Sequence, residues 1–350
     1  MQLKWTVLVA MLWAIPARAQ WESPVLMGTT TAESDIVANG DILHYVYSTD
    51  WTSGPIRYRR SLNEGSTWEA ERTLASNGTL HFTDSLAVSG SDVYVLYFGN
   101  MRSFTFPWGT DQVGNLYLLH SGDSGLNWDA VCQLTTDDDA YRASIVALGA
   151  DVHVVWGGES TGHIYYRGST NHGLCSSWSS RTDFGGVQAE RPQVVAYGSF
   201  VHVIWEDSRA GRPPCFTLPS CPNVYYVRST NRGASFEAIQ QLVDFVDRAS
   251  IGRPEIAVVP STGTVVAMYQ DIVVGDQEIF SKSSTSSGAA GTWASPVRLT
   301  SLSGTDNHPT AGSMGGLVAV AWNNNPRRRR HILYDVGGWR SELDRTRGGH

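Results

Sequence analysis

The sequence predicts an all-β fold, a six-bladed β-propeller with four-stranded antiparallel blades and an N-terminal strand closing the last blade. Three observations carry this expectation. A turn-centred motif recurs five times, six alternating apolar hairpins interleave with it, and the 350 residues include 35 Gly, 13 Trp and 14 Tyr with only 17% charged.

The motif runs from a short aromatic strand through Ser, a polar pair and Gly to a second aromatic. Its copies are "IRYRRSLNEGSTW", "LYLLHSGDSGLNW", "IYYRGSTNHGLCSSW", "VYYVRSTNRGASF" and "IFSKSSTSSGAAGTW". Their serines, Ser61, Ser121, Ser169, Ser229 and Ser284, fall 60, 48, 60 and 55 residues apart, the period of one blade. Each copy reads as a tight hairpin. Asn63, Asp123, Asn171 and Asn231 accept local backbone N–H groups, the turn glycine takes positive φ, and the closing aromatic plugs the sheet beneath.

Upstream of the copies lie "DIVANGDILHYVYSTD", "DSLAVSGSDVYVLYFG", "ASIVALGADVHVVWGG", "PQVVAYGSFVHVIWED" and "PEIAVVPSTGTVVAMYQD", and a sixth hairpin, "PTAGSMGGLVAVAWNN", follows the last copy. Their period-2 alternation marks strands. Fourth strands follow as "WEAERTLAS", "WDAVCQLTT", "WSSRTDFGG", "FEAIQQLVD" and "WASPVRLTS". The sixth blade is expected to borrow "QWESPVLM", residues 20–27, which resembles "TWASPVRLT" and would pair with "HILYDV"; "GGWRSELDR" competes for that place.

Residues 1–19, "MQLKWTVLVAMLWAIPARA", combine one early cation, an apolar run and a small-residue end at Ala19, which reads as a signal peptide. The run is shorter than the roughly 20 apolar residues of a membrane span. The expectation is therefore a secreted or periplasmic protein, residues 20–350 forming a single propeller domain, with no membrane span. A net charge of -7 argues against a nucleic-acid partner. Cys215 and Cys221 flank a short loop and are expected to bridge, and Cys132 with Cys175 is a candidate second pair.

In a propeller the first strand of each blade leaves, and the second returns to, one face near the axis, so those strand ends line the default ligand cleft. Aligning the hairpins places Glu33, Thr83, Arg142, Arg191, Arg253 and His308 at first-strand starts. Asp50, Asn100, Glu159, Asp207, Asp271 and Asn324 fall at second-strand ends. Three arginines at equivalent positions can grip a carboxylate or sulfate through paired hydrogen bonds. They can equally pair with rim carboxylates such as Glu190, Asp207 or Asp271 and close the tunnel.

The repeat resembles the Asp-box of the sialidase and BNR-repeat superfamily, Ser-x-Asp-x-Gly-x-Thr-Trp. "SLNEGSTW" matches it at Ser61, Asn63, Gly65, Thr67 and Trp68, with Asn for Asp. The resemblance implies a six-bladed propeller and, in the enzymes of that superfamily, three arginines on a sugar carboxylate, a Glu-activated Tyr nucleophile and an Asp acid/base. Asp50 lies near the acid/base position, Glu190 and Arg209 at the two ends of the blade-four hairpin, and Arg253 opens blade five. The blade-one Arg-Ile-Pro arginine is missing from "TAESDIVANG", and the blade-six Tyr from "NHPTAGS". Tyr141 beside Arg142 is the tyrosine that can substitute as nucleophile. The candidate catalytic set is thus Asp50, Glu190, Tyr141, Asp207 and Asp271, and the candidate substrate-binding set Arg142, Arg191, Arg209, Arg253 and His308, with no metal and no cofactor.

Three further features carry less. "PRRRRHIL" reads as a solvated basic run or as an overhang of the cleft, and "TTDDDAY" as a polar connection rather than a calcium loop. His44, His153 and His202 sit in second strands and read as packed. The functional readings are an exo-acting, sialidase-type glycoside hydrolase on terminal acidic sugars, and a non-catalytic propeller binding an acidic glycan or a protein. A lyase is a third, resting on fold analogy.

Overall fold

The computed structural model describes residues 32–80, 84–106, 109–210, 222–243, 252–273, 276–301, 306–314, 316–324, 328–335 and 338–340. Among them there is strand and turn but no helix, and the strands fall into six consecutive sets of four. The first set is β1 (Glu33–Asn39), β2 (Ile42–Ser48), β3 (Gly54–Ser61) and β4 (Arg72–Gly78). The second is β5 (Leu86–Ser89), β6 (Asp92–Phe106), β7 (Gly109–Ser121) and β8 (Cys132–Gln133), and the third β9 (Ala140–Leu148), β10 (Asp151–Gly158), β11 (His163–Ser169) and β12 (Thr182–Asp183). The fourth is β13 (Glu190–Tyr197), β14 (Phe200–Asp207), β15 (Asn223–Ser229) and β16 (Gln240–Val243), and the fifth β17 (Gly252–Val259), β18 (Thr264–Val273), β19 (Asp276–Ser284) and β20 (Val297–Arg298). The sixth is β21 (Asp306–Met314), β22 (Leu317–Asn324), β23 (Arg328–Asp335) and β24 (Gly338–Arg340). Neighbours within each set pair antiparallel in chain order, and the pair Gly114 with Ala140 joins the second set to the third.

β24 pairs with β23 through Leu333, Tyr334 and Asp335, so the C-terminal candidate occupies the fourth-strand place over that stretch. The N-terminal candidate, residues 20–27, lies outside the described residues, as do Cys215 and Cys221 and the whole of residues 1–19.

Alternation puts opposite faces of each second strand against different neighbours. Val154 and Trp156 of β10 pack toward the second sheet, and Val155 toward the fourth. Five apolar clusters arise this way, each between consecutive sheets.

The repeated turns supply the contact that sets sheet against sheet. In all five the serine Oγ accepts the N–H of the turn glycine, at 2.8 to 3.2 Å. In the second, fourth and fifth copies the glycine and the closing aromatic then meet the preceding sheet rather than plugging their own, whereas in the first Gly65 faces Leu43 and Trp68 meets Tyr45 of the same sheet. Trp128 packs edge-on against Tyr58 at 5.0 Å, Phe236 against Tyr166 at 4.8 Å, and Trp293 against Tyr226 at 5.0 Å. A Cβ at Gly125, Gly233 or Gly288 would overlap the hydroxyl of the same tyrosine. Those hydroxyls hydrogen-bond His44, His153 and His202 at Nδ1, at 2.6, 2.8 and 2.7 Å. Burial lowers these imidazoles to about 4, 4 and 3, which keeps them neutral and able to take part in the contact.

Cys132 of β8 is bonded to Cys175 in the turn of the third set, fastening the second sheet to the third. The Asp137 to Asp139 run ties loops: Asp137 to Arg181, Asp138 to Asn115, and Asp139 to the Ser160 N–H. No metal-binding cluster occurs among the described residues.

Two stability outcomes follow from these contacts. Gly233→Ala is expected to cost about 3 kcal/mol, combining a left-handed Cβ penalty with overpacking. Gly40→Ala has a similar positive φ but open space around it, so it should cost only the backbone part. Urea unfolding of the two variants separates the terms, and equal losses would show that the tyrosine contact is not limiting. Replacing Cys132 and Cys175 by Ser opens a link across 43 residues of sequence and should cost about 4 kcal/mol by loop-closure entropy, read as a lowered urea midpoint.

Candidate functional site

Four of the expected first-strand residues share one backbone device. Arg142 is the extra residue where Tyr141 pairs with Gly157 and Ala143 with Trp156. Arg191–Pro192, Arg253–Pro254 and His308–Pro309 each stand as two residues against one, facing Trp205, Tyr269 and Trp322. The φ values are +42°, +52°, +46° and +53° at Arg142, Arg191, Arg253 and His308. Proline is tolerated because β13, β17 and β21 are edge strands and a bulge asks for no ladder donor. Left-handed backbone at a branched or bulky residue costs about 1 kcal/mol or more, and its repetition in four successive sheets marks a site.

These residues converge. Arg142, Arg191, Arg253 and His308 line an open cavity of about 180 Å3, with the three prolines, Gln193 and Glu255 completing its wall. The four side chains are not equivalent electrostatically. Arg191 Nη1 donates to Glu206 Oε1 and stands 3.3 Å from Glu190 Oε2, while Arg142 Nε lies 3.9 Å from the same Glu190 oxygen and its guanidinium sits 4.7 Å over the Tyr141 ring. Burial opposes the charge on Arg191, but Glu206 and Glu190 outweigh it and raise its pKa. Burial pushes the Glu206 carboxyl up while Arg191 pulls it down; a guanidinium cannot give up its proton in the accessible range, so we read the pair as ionised. Arg191 Nε remains buried without a hydrogen-bond partner among the described residues.

Arg253 differs. It forms no hydrogen bond or ion pair with a described residue, and burial, then Arg191 and Arg142, push it down to about 10. The guanidinium is charged at neutral pH and lacks a counter-ion in contact among the described residues. Glu255 does not supply one, since burial and then Asp84 hold its carboxyl well above the usual range. His308 is lowered by burial, Arg253 and Arg191 in that order.

The other expected residues take different places. Asp207 is fully buried and accepts from Trp205 Nε1 at 3.0 Å, Arg209 Nε at 2.7 Å, and the Val187 and Arg209 backbone N–H groups. Arg209 also donates to the Phe184 carbonyl and lies 5.0 Å from the Tyr225 ring centroid. This knot pins the β14 end and is absent from the cavity wall. Asp50 is exposed and caps its own loop, accepting from the Thr52 and Ser53 N–H groups, and these bonds lower its pKa. Asp271 accepts the Ile272 N–H at 2.7 Å and is also outside the wall. Glu190 and Tyr141 adjoin the cavity through Arg142. Thr83 and Arg327 lie outside the described residues.

Glu206 and Glu255 are not among the candidates that the hairpin alignment selects. Strand alternation carried the signal for both: Glu206 stands one residue before the strand end, opposite Trp205 in facing, and Glu255 two residues beyond a bulge, as Gln193 and Ser144 do.

The fold is that of sialidases and related glycoside hydrolases. The chain is similar to a protein of unknown function from Dyadobacter fermentans, with 14% identity over 87% of this chain and 93% of that one, at a TM-score of 0.54. It is similar to the NanB sialidase of Streptococcus pneumoniae, with 7% identity over 87% and 68% of the two chains and a TM-score of 0.53. An α-L-arabinofuranosidase of Fusarium graminearum matches with 13% identity over 87% and 92%, at a TM-score of 0.50. No protein-family model and no curated protein sequence matches the chain.

Removing the Asp207 charge tests its structural place. Asp207→Asn breaks a buried pair with Arg209 and is expected to cost about 3 kcal/mol in urea unfolding, a loss large enough to separate it from a surface substitution.

Proposed function

We propose that this protein is an exported, carbohydrate-active β-propeller whose axial cavity binds the carboxylate or sulfate of an acidic sugar. Six blades would form the ring, each built from one hairpin and one repeated turn. The observation that carries the reading is Arg253: a half-buried guanidinium without a contacting counter-ion among the described residues, flanked by Arg142, Arg191 and His308 on equivalent bulges. A cation left in that state is stabilised by an arriving oxyanion, and the planar fork suits a two-oxygen group. The sialidase and arabinofuranosidase neighbours support a glycan as the carrier of that group.

Glycoside hydrolysis is the second reading, favoured by Glu190 and Tyr141 beside Arg142 at the cavity edge. There Tyr141 would attack the anomeric carbon with Glu190 taking its proton, and Asp50 would serve from the rim as acid/base. Asp207, Asp271 and Arg209 would support the strand ends. Binding without turnover needs only the cationic cavity, and it is the function we favour.

Calorimetric titration with glucuronate, N-acetylneuraminate and a sulfated galactoside, beside a fluorogenic sialoside assay, tests both. Arg253→Ala is expected to weaken binding by about 10- to 100-fold, the worth of a charge-assisted hydrogen bond. Unchanged affinity in that variant would sink the anion site. Turnover by the wild type that falls in Tyr141→Phe would favour the enzyme.

A further inference from the structure

The bulged sheets repeat one register around the cavity, and the residue after the anchoring aromatic of each second strand takes the same place in all four. After Trp156, Trp205, Tyr269 and Trp322 stand Gly157, Glu206, Gln270 and Asn323. Across the ladder these pair with Tyr141, Glu190, Gly252 and Asn307, the residues that precede the four bulges. Both carboxylates of this layer therefore belong to the fourth sheet. The fifth sheet has an amide and a glycine in their places.

The two central arginines differ accordingly. Glu206 is 3% exposed, Arg191 Nη1 donates to its Oε1, and Glu190 Oε2 stands 3.3 Å from the same nitrogen. Gln270 is 1% exposed and uncharged, and Arg253, which follows its ladder partner Gly252, has no carboxylate in contact among the described residues. Burial opposes the charge on both arginines. At Arg191 the carboxylates of Glu206 and Glu190 outweigh it, whereas at Arg253 burial acts together with Arg191 and Arg142.

We propose that Glu206 and Gln270 are a specificity-determining pair: the carboxylate keeps Arg191 from the ligand, the amide leaves Arg253 open to it, and the cavity takes a singly charged oxyanion rather than a doubly charged one. This rests on the anion-site reading above and names the charge of its ligand. A carboxylate or a sulfate ester carries one charge, and a phosphate monoester carries two. The second charge would have to draw Arg191 away from Glu206, leaving a buried carboxylate without its partner, and breaking such a pair costs more than an exposed contact returns. Arg142 does not relieve this, since its Nε lies 3.9 Å from the Glu190 oxygen that Arg191 also faces. One side-chain atom separates the two sheets: an oxygen at the end of Glu206 is a nitrogen at the end of Gln270. Exchanging them should exchange the roles of the two arginines.

The test is calorimetric titration of the full chain at pH 8 with galactose 6-sulfate and galactose 6-phosphate, which put one and two charges on the same sugar and the same tetrahedral group, because the second ionisation of a phosphate ester lies at about pH 6. Sodium glucuronate supplies the planar single charge. Wild type should bind the sulfate ester or glucuronate about tenfold or more tightly than the phosphate. Gln270→Glu, which gives Arg253 a carboxylate in the register of Glu206, should weaken that binding by about 10- to 100-fold, the loss expected of Arg253→Ala. Glu206→Gln should raise affinity for the phosphate about tenfold relative to the sulfate ester, as a second guanidinium becomes available. The double variant moves the counter-ion from one arginine to the other and should regain part of the affinity lost in Gln270→Glu, with urea midpoints showing that each chain is folded. Should Gln270→Glu fail to fold, the phosphate-to-sulfate ratio in Glu206→Gln decides alone. Undiminished binding in Gln270→Glu, where Arg253→Ala loses it, would overturn the pair and leave the anion site standing, and so would a ratio that Glu206→Gln does not move. Absence of wild-type binding to all three ligands would overturn both. Binding of only one of the two singly charged ligands would support the pair and identify the oxyanion.

Discussion

The interaction on which the structure depends is the seating of three turn glycines, Gly125, Gly233 and Gly288, with their closing aromatics, on a tyrosine of the preceding sheet. A four-stranded sheet has two faces to bury and, in a chain whose described residues include no helix, only other sheets to bury them against. Stacking alone leaves the rotation and offset of neighbouring sheets loosely set, because apolar contact is not directional. The tyrosine hydroxyl removes that freedom. It is fixed from one side by a histidine Nδ1 and from the other by a glycine that admits no side chain, so position is determined by a hydrogen bond and a steric limit together. The second sheet departs from this pattern: Tyr94 and Leu118 together meet Gly173, and there the Cys132–Cys175 bond adds a covalent fastening.

With the sheets held in this way, the inner edge strands have latitude that strands within a sheet lack. β13, β17 and β21 each have one side without a strand partner among the described residues, so an extra residue can be inserted without breaking a second ladder, and β9 carries its bulge two residues beyond its single pair with β7. The four bulges turn three guanidiniums and one imidazole out of the alternating pattern and into the common cavity. The strain of four left-handed residues is borne because the strands beyond them are anchored by Trp156, Trp205, Tyr269 and Trp322, all buried. The local rule is broken at the site and kept elsewhere.

Much of this was legible in the sequence, and the reasons for success and failure differ. The repeated turns fixed the strand order because Ser, Asx and Gly at set spacing have a local mechanism that does not depend on the rest of the chain. Aligning hairpins on their turns brought Arg142, Arg191, Arg253 and His308 to equivalent places, and they meet at one cavity, since equivalent positions of a repeated unit converge wherever the units are similarly stacked. The carboxylates were harder to read. Asp207, Asp50 and Asp271 stand near strand ends, yet their partners are Arg209, a loop backbone and a neighbouring N–H, and partner choice is set by three-dimensional proximity. The closing aromatics were expected to plug their own sheets; Trp68 does meet Tyr45 of its own sheet, while Trp128, Phe236 and Trp293 pack on the neighbour, because the turn carries them past the sheet edge.

The same distinction explains why counting arginines overstates the site. Three guanidiniums at equivalent positions look like a triad, but Glu190 and Glu206 lie next to Arg142 and Arg191 in the folded chain and offset their charge. Arg253 has no such neighbour among the described residues, and the carboxyl in its wall, Glu255, is disposed to be neutral. Electrostatic capture in a low-dielectric recess depends on uncompensated charge, because each compensated pair must be partly separated before it can serve a ligand. In the anion-binding reading the strength of the cavity therefore concentrates at Arg253, with Arg142 and Arg191 shaping the wall beside it.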